Sequence, residues 1–323
     1  DKDLPCPPVL VTVTHKGKKI DAVAQGTKHG LLFVFNRETG EPLWPIEERP
    51  VPASDLEGEK AWPTQPFPTK PPPLMRQKYT GADPSNISPQ THPLTLDRIK
   101  ASPNFGPFPA PSLKETVMFP GFDGGMEWGG GAADPDGIYY VNINEMPWLL
   151  QMVETRKTDG SKLVRGERDY MIFCGACHGL DRKGNLQAGF PPLLGIGNRK
   201  TRAEIEQITR QGGGRMPGYA VMPDGKRKTI LDYVLNYKPP APPGPEPGTP
   251  TPKVVDKQPP ADAFAGFRRW LDDVGYPSIK PPWGYLNAVD LNSGQNKGKV
   301  TLGESPELTA RGIPPTGTEN YGG

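Results

Sequence analysis

Cysteine is scarce in this chain, with three in 323 residues. Long apolar runs are missing too. None approaches the roughly 20 residues needed to span a bilayer, so no transmembrane segment is read in it. Charge of one sign is not in excess, the formal net charge being +2. That balance implies no polyanionic partner such as nucleic acid. No phosphate-binding glycine loop, no Ser-His-Asp order and no basic stripe is present. Glycine and proline are abundant instead, 39 and 43 residues, about a quarter of the chain. With tryptophans and β-branched runs spread between them, they read as a turn-rich globular protein. The sequence opens at Asp1 without a methionine and stops at Gly323. Both ends read as cuts, and a piece of a longer protein is expected.

Residues 9–14 (VLVTVT) and 31–36 (LLFVFN) are strand-like, and the second runs into a polar turn ending in Gly40. The same strand and Asx/Gly-turn pattern recurs in ADPDGIYYVN (133–142) and LNAVDLNSG (286–294). Such recurrence points to radially repeated sheets, a β-propeller. Residues 45–115 are proline-rich and irregular, with one short helix expected in LTLDRIK (94–100). From about 150 the period changes to a helical one. Helices are expected in 166–179, in 201–213, where Thr201 and Glu204 form a capping box, and in 225–237. A semi-rigid proline linker follows, and β-type patterning returns near 264.

Two of the three cysteines stand in FCGACHG (173–179). Cys-x-x-Cys-His is the attachment signature of c-type haem. Cys174 and Cys177 on one turn can reach the two porphyrin vinyl groups, and His178 then lies under the iron. A redox dithiol or half of a zinc site are the alternatives. The first has no use for the histidine, and the second needs two further ligands nearby. A sixth iron ligand is expected downstream. Met216 in GGGRMPGY is the candidate, with Met222 as rival. The module resembles a class I cytochrome c domain.

The flanks resemble the pyrroloquinoline quinone (PQQ)-dependent dehydrogenases of the membrane glucose dehydrogenase-like branch. The resemblance rests on residues 21–55, TQPFPTKPPP (64–73), PGFDGGMEWGGGAADPDGIYYVNINEMPW (120–148), GYPSIKPPWGYLNAVDLNSG (275–294) and GIPPTGTENYGG (312–323). It implies a mainly β fold, part of an eight-bladed propeller, with an inserted small all-α cytochrome c domain. The divisions expected are propeller blades over 1–150, cytochrome c over 160–238, linker over 239–262 and further blades over 263–323. The resemblance makes Lys28 a contact of the quinone and Asp1 the general base that takes the substrate hydroxyl proton, with Asp3 as competitor. Trp128 and Asn320 match positions near the cofactor, and Trp283 reads as blade packing. Gly298 stands where a blade-docking tryptophan is usual. Cys6 reads as a lone buried or loop thiol, and His15, His29 and His92 as surface or turn residues.

The implied function is oxidation of an alcohol or sugar by PQQ, with electrons passing through haem c to a cytochrome, ubiquinone or a terminal oxidase. The implied calcium ligands lie mostly in a missing first half. Covalent haem is attached outside the cytoplasm, so a periplasmic setting is expected, with membrane association left to the missing N-terminal part. The alternative is an electron-transfer cytochrome whose propeller-like flanks only dock partners.

Overall fold

The computed structural model describes residues 2–88, 91–101, 106–155, 163–184, 186, 189–214, 216–236, 262–264, 268–272 and 274–319. The chain divides into two compact units, Asp1–Leu150 with Phe267–Gly323, and Gln151–Gly266.

The first unit is mainly β. Strands β1 (Val9–His15), β2 (Lys18–Gly26) and β3 (Leu32–Asn36) form an antiparallel meander. In β1 the alternation buries Val11 and Val13 and exposes Leu10, Thr12 and Thr14. Lys16 and Gly17, both at positive φ (50° and 77°), make the two-residue turn that matches strand twist. Strand β2 buries alanines, Ala22 and Ala24, with no β-branched run to advertise it. After β3 the Asn36 side chain accepts from the Glu38 and Thr39 amides at 2.9 and 3.3 Å. The turn closes at Gly40.

The proline-rich stretch contains an antiparallel ribbon, β4 (Ile46–Pro50) with β5 (Thr64–Pro68), and helix α1 (Thr91–Ala101). Strands β6 (Thr116–Met118), β7 (Gly131–Ala133), β8 (Ile138–Asn144) and β9 (Trp148–Leu150) complete the first stretch of this unit. The second unit carries β10 (Met152–Glu154), α2 (Arg165–Phe173), α3 (Gly175–His178), α4 (Arg202–Gln211), α5 (Asp224–Val234) and β11 (Asp262–Phe264), which pairs with β10. The chain then re-enters the first unit with β12 (Arg268–Arg269), β13 (Gly284–Asp290), β14 (Gln295–Thr301) and α6 (Pro306–Thr309).

The largest sheet runs β14-β13-β8-β7, so strands from either side of the second unit share one antiparallel ladder, with Tyr285 opposite Ile143 and Val289 opposite Tyr139. Its buried face carries Tyr139, Val141, Ile143, Tyr285 and Val289. Asn292 joins two sheets at their turns, accepting from the Thr14 amide at 2.7 Å and donating to the Asp136 carbonyl at 2.9 Å. All seven residues of β14 are exposed, and nothing lies within 4 Å of the place a Gly298 side chain would take. Among the described residues every sheet is open rather than closed on itself.

The second unit packs α2 against α5 around Tyr170, Ile196, Ile205, Met222, Ile230, Leu231 and Val234. Gly166 makes the crossing possible: a Cβ there would lie 2.2 Å from the Thr229 carbonyl oxygen. Helix α4 starts with the expected capping box, in which Thr201 accepts from the Glu204 amide and Glu204 from the Thr201 amide at 2.7 Å.

Candidate functional site

Lys28 follows β2 in a tight turn, where the Gly30 amide (φ 73°) donates to the Thr27 carbonyl at 2.9 Å. Its stem lies against Gly124. A Cβ at Gly124 would fall 2.3 Å from Lys28 Cγ, so only glycine lets the 120–130 loop approach this closely. The Gly125 amide donates to the Lys28 carbonyl at 2.8 Å. The ammonium lies 2.8 Å from Asp3 Oδ1, 3.8 Å from Glu127 Oε1 and 5.5 Å from the centre of the Phe122 ring. Asp3 is thus ion-paired with Lys28, and that contact holds it below the usual range. Asp1 and Asn320 lie outside the described residues.

Two groups that sequence reasoning passed over complete this cluster. Lys2 donates to the Pro120 and Gly121 carbonyls. Burial and the nearby Lys28 charge lower it to about 7. Glu127 is raised to about 7, chiefly by burial, with Lys28 opposing and Asp3 and Asp123 adding. Its Oε1 is buried without a hydrogen-bond partner. The only sequence signal for Glu127 is a carboxylate set between glycines in DGGMEWGGG. Asp123 pairs with Arg269 at 3.0 Å. Trp128, next along the loop, is 65% exposed. Trp283 is buried, donates to the Ile279 carbonyl at 2.7 Å and stacks on Tyr276, which is a packing role.

His29 lies in a turn, as read, but is not on the surface. It is 4% exposed, its ring lies 4.1 Å from that of Phe108, and Nε2 is buried without a partner. Burial, then the Lys2 charge, lowers it to about 3. The turn points its side chain inward beside Phe108, which local sequence does not encode. Cys6 is buried.

In the second unit, Cys174 ends α2, and the amides of Cys177 and His178 both donate to its carbonyl, at 3.2 and 3.0 Å. His178 is 7% exposed, and its Nδ1 is 2.8 Å from the Pro191 carbonyl oxygen. A carbonyl only accepts, so Nδ1 carries the hydrogen and Nε2 keeps its lone pair for a metal. Burial, with Cys177 adding, pushes the Cys174 thiol up to about 12. A reactive redox thiol needs the opposite shift. Among the described residues no three His, Cys, Asp or Glu converge as a metal site. Met216 is half-buried in a tight turn where it and Gly213 exchange backbone hydrogen bonds at 3.0 Å. Met222 is buried in the unit's core.

A family model described as glucose/ethanol/alcohol dehydrogenase, beta-propeller domain, matches residues 1–176, more than half of the chain. The chain belongs to this family of PQQ-dependent dehydrogenase propellers. Residues 161–234 match a second model, cytochrome c oxidase, cbb3-type, subunit III. Among curated relatives, the quinoprotein glucose dehydrogenase of Gluconobacter oxydans is 37% identical over 47% of this chain and 19% of its own length. The quinate/shikimate dehydrogenase (quinone) of Acinetobacter baylyi is 31% identical over 67% of this chain and 28% of its own. The glycerol dehydrogenase large subunit of Gluconobacter thailandicus is 33% identical over 46% and 20%. The matched stretches thus span about a fifth to a quarter of those relatives.

The residues present fit part of PQQ, which the propeller family implies, and part of haem c, which the cytochrome model implies. For an anionic, planar ortho-quinone the first unit offers the Lys28 and Lys2 ammoniums and the exposed Trp128 indole. For haem the second unit offers two thiols on one turn and a buried histidine with its tautomer set. For calcium the described residues bring no cluster of three or more carboxylate or imidazole donors together.

Proposed function

We propose that this chain is part of a quinohaemoprotein dehydrogenase that oxidises the hydroxyl group of a polyhydroxy compound and passes the electrons on through a haem c of its own. PQQ, when bound, supplies the two-electron oxidation of the hydroxyl carbon, and haem c carries electrons singly. Lys28 would hold a quinone oxygen, its ammonium favouring the electron-rich form. Asp1 would take the substrate hydroxyl proton, as the family pattern implies. Asp3 is ion-paired with Lys28 at 2.8 Å, and a carboxylate held low in this way is a weaker base than an unpaired one. Trp128 would offer an aromatic face to the cofactor, and Asn320 a polar contact. Cys174 and Cys177 would carry the haem, with His178 and Met216 on the iron.

The observation that carries the reading is His178. In a chain of this dehydrogenase family, it directly follows Cys177 and is buried with Nδ1 committed to Pro191. The polyol class is supported by the relatives' printed names, glucose, glycerol and quinate/shikimate. A respiratory acceptor and a periplasmic setting follow from covalent haem. Among the described residues no helix is long and apolar enough to cross a membrane.

The test is stopped-flow spectroscopy of the full-length protein reconstituted with PQQ and calcium. Glucose, glycerol or quinate should reduce the haem within the protein, shifting its Soret band. A covalently bound haem that no polyol reduces would sink the dehydrogenase reading and favour a cytochrome whose flanks only dock partners.

A further inference from the structure

Arg227 on α5 has no part in the reading above, yet its side chain is the largest among the fully buried ones, at 2% exposure. Its Nη2 donates to the Tyr219 and Met222 carbonyls at 2.8 and 3.0 Å, and Nη1 reaches Thr209 Oγ1 at 3.5 Å. Nε is buried without a hydrogen bond. The carboxylate closest to it, Asp224 at 3.8 Å, is exposed and lies 2.7 Å from Arg210. A guanidinium so poorly paired is an expensive way to fill a core, where an apolar side chain of the same volume is often as stable or more so. What it does supply is a grip on two carbonyls of one loop, the stretch on which the chain returns from Met216.

Tyr219 extends the connection. Its amide donates to the Thr209 carbonyl at 2.9 Å. Its hydroxyl donates to the Phe173 carbonyl at 3.1 Å, and its ring meets that of Phe173 edge-on. Phe173 is the residue before Cys174. The loop after Met216 is therefore tied through Tyr219 both to a buried cation on α5 and to the end of α2, one residue before Cys174. From this geometry we infer that Arg227, acting through Tyr219, is a positioning residue that sets where the Met216 thioether stands relative to His178, and so decides whether the iron takes it. The inference rests on the haem reading proposed above.

The experiment uses the full-length holoprotein with Arg227→Met and Tyr219→Phe. Four quantities are read: covalent haem by pyridine haemochrome, the far-red charge-transfer band of thioether-ligated ferric haem, the affinity of the ferric iron for added imidazole, and the midpoint potential. Both variants should keep covalent haem. Arg227→Met should lose most of the far-red band and bind added imidazole at the ferric iron about tenfold more tightly. Its potential should fall, because a thioether ligand raises it. Tyr219→Phe should shift the band, the imidazole affinity and the potential in the same direction by less. If Arg227→Met does not fold, Tyr219→Phe decides. A parent protein with the band, beside folded variants that match it in band, imidazole affinity and potential, overturns this inference and leaves the haem reading standing. A parent without covalent haem overturns both, and a parent with covalent haem but without the band overturns this inference and the Met216 assignment while covalent haem stands.

Discussion

Gly166 is the most exacting test of how the second unit is held together. A methyl group there would lie 2.2 Å from the Thr229 carbonyl oxygen, 3.0 Å from its carbon and 3.1 Å from Tyr233 Cβ. The first distance is about 1 Å inside van der Waals contact, and the obstacle is backbone of α5, which cannot rotate away. Helices α2 and α5 must separate or roll. A gap of 0.5–1 Å forfeits roughly a quarter to a half of each contact's attraction, and the contacts at stake include Tyr170, Ile230 and Val234. Overpacking of this kind costs about 1–3 kcal/mol. Opposing it, alanine favours a helix over glycine by about 1 kcal/mol. Packing wins, and Gly166→Ala should destabilise the unit by up to about 2 kcal/mol. Gly225, on α5, has nothing within 4 Å of its would-be Cβ. There only the propensity gain operates, and Gly225→Ala should stabilise by up to about 1 kcal/mol. Thermal unfolding of the full chain, followed by far-ultraviolet circular dichroism, reads both. A Gly166→Ala variant melting at or above the parent, or a Gly225→Ala variant melting below it, would refute the assignment of this crossing.

Lys28→Ala should weaken PQQ binding by about tenfold to a hundredfold, the range for one lost charged hydrogen bond, measured by titrating the apoprotein with PQQ and following cofactor absorbance. Glu127 is raised to about 7 in the folded protein, so from about pH 4.5 to 7 the folded state holds a proton that the unfolded chain has released. Folding stability contributed by that site therefore falls as pH rises through this window and stays low above it. Glu127→Gln should remove the loss, gaining on the order of 1–3 kcal/mol above pH 7 relative to pH 4; denaturant melts at the two pH values check it, and an equal effect at both would contradict the assignment. Tyr285 donates to the fully buried Glu145, which also accepts from the Arg76 amide at 2.9 Å. Tyr285→Phe leaves that carboxylate one donor short and should cost about 1–3 kcal/mol in urea unfolding.

The features legible in the sequence are those whose partners sit within a few residues. Cys174, Cys177 and His178 share one turn because of their spacing alone. Thr201 meets Glu204 across three residues, and the side chains of Asn36, Asp134 and Asp290 each accept an amide two residues on. Strand β2 escaped notice because its buried residues are alanines, whose small side chains suit a crowded interior but announce no strand. The antiparallel ribbon in the proline-rich stretch escaped because Pro66 and Pro68 lie inside a strand of a two-stranded ribbon, where their missing N–H groups are tolerated. Family resemblance pointed to Lys28, but nothing local pointed to Lys2 or Glu127, which reach it from far along the chain.

The sequence by itself determined the cysteine pair and the histidine beside it, the turns and caps, and membership of a quinone-dependent propeller family, because short-range chemistry and ordered motifs need no knowledge of the rest. Only the tertiary structure decided that Asp3 pairs with Lys28, that Glu127 holds its proton near neutrality, that His29 is buried, and that Met222 fills a core while Met216 stays in the loop. Those outcomes depend on burial and on charges brought together from well separated parts of the chain, and neither is a property of any local stretch.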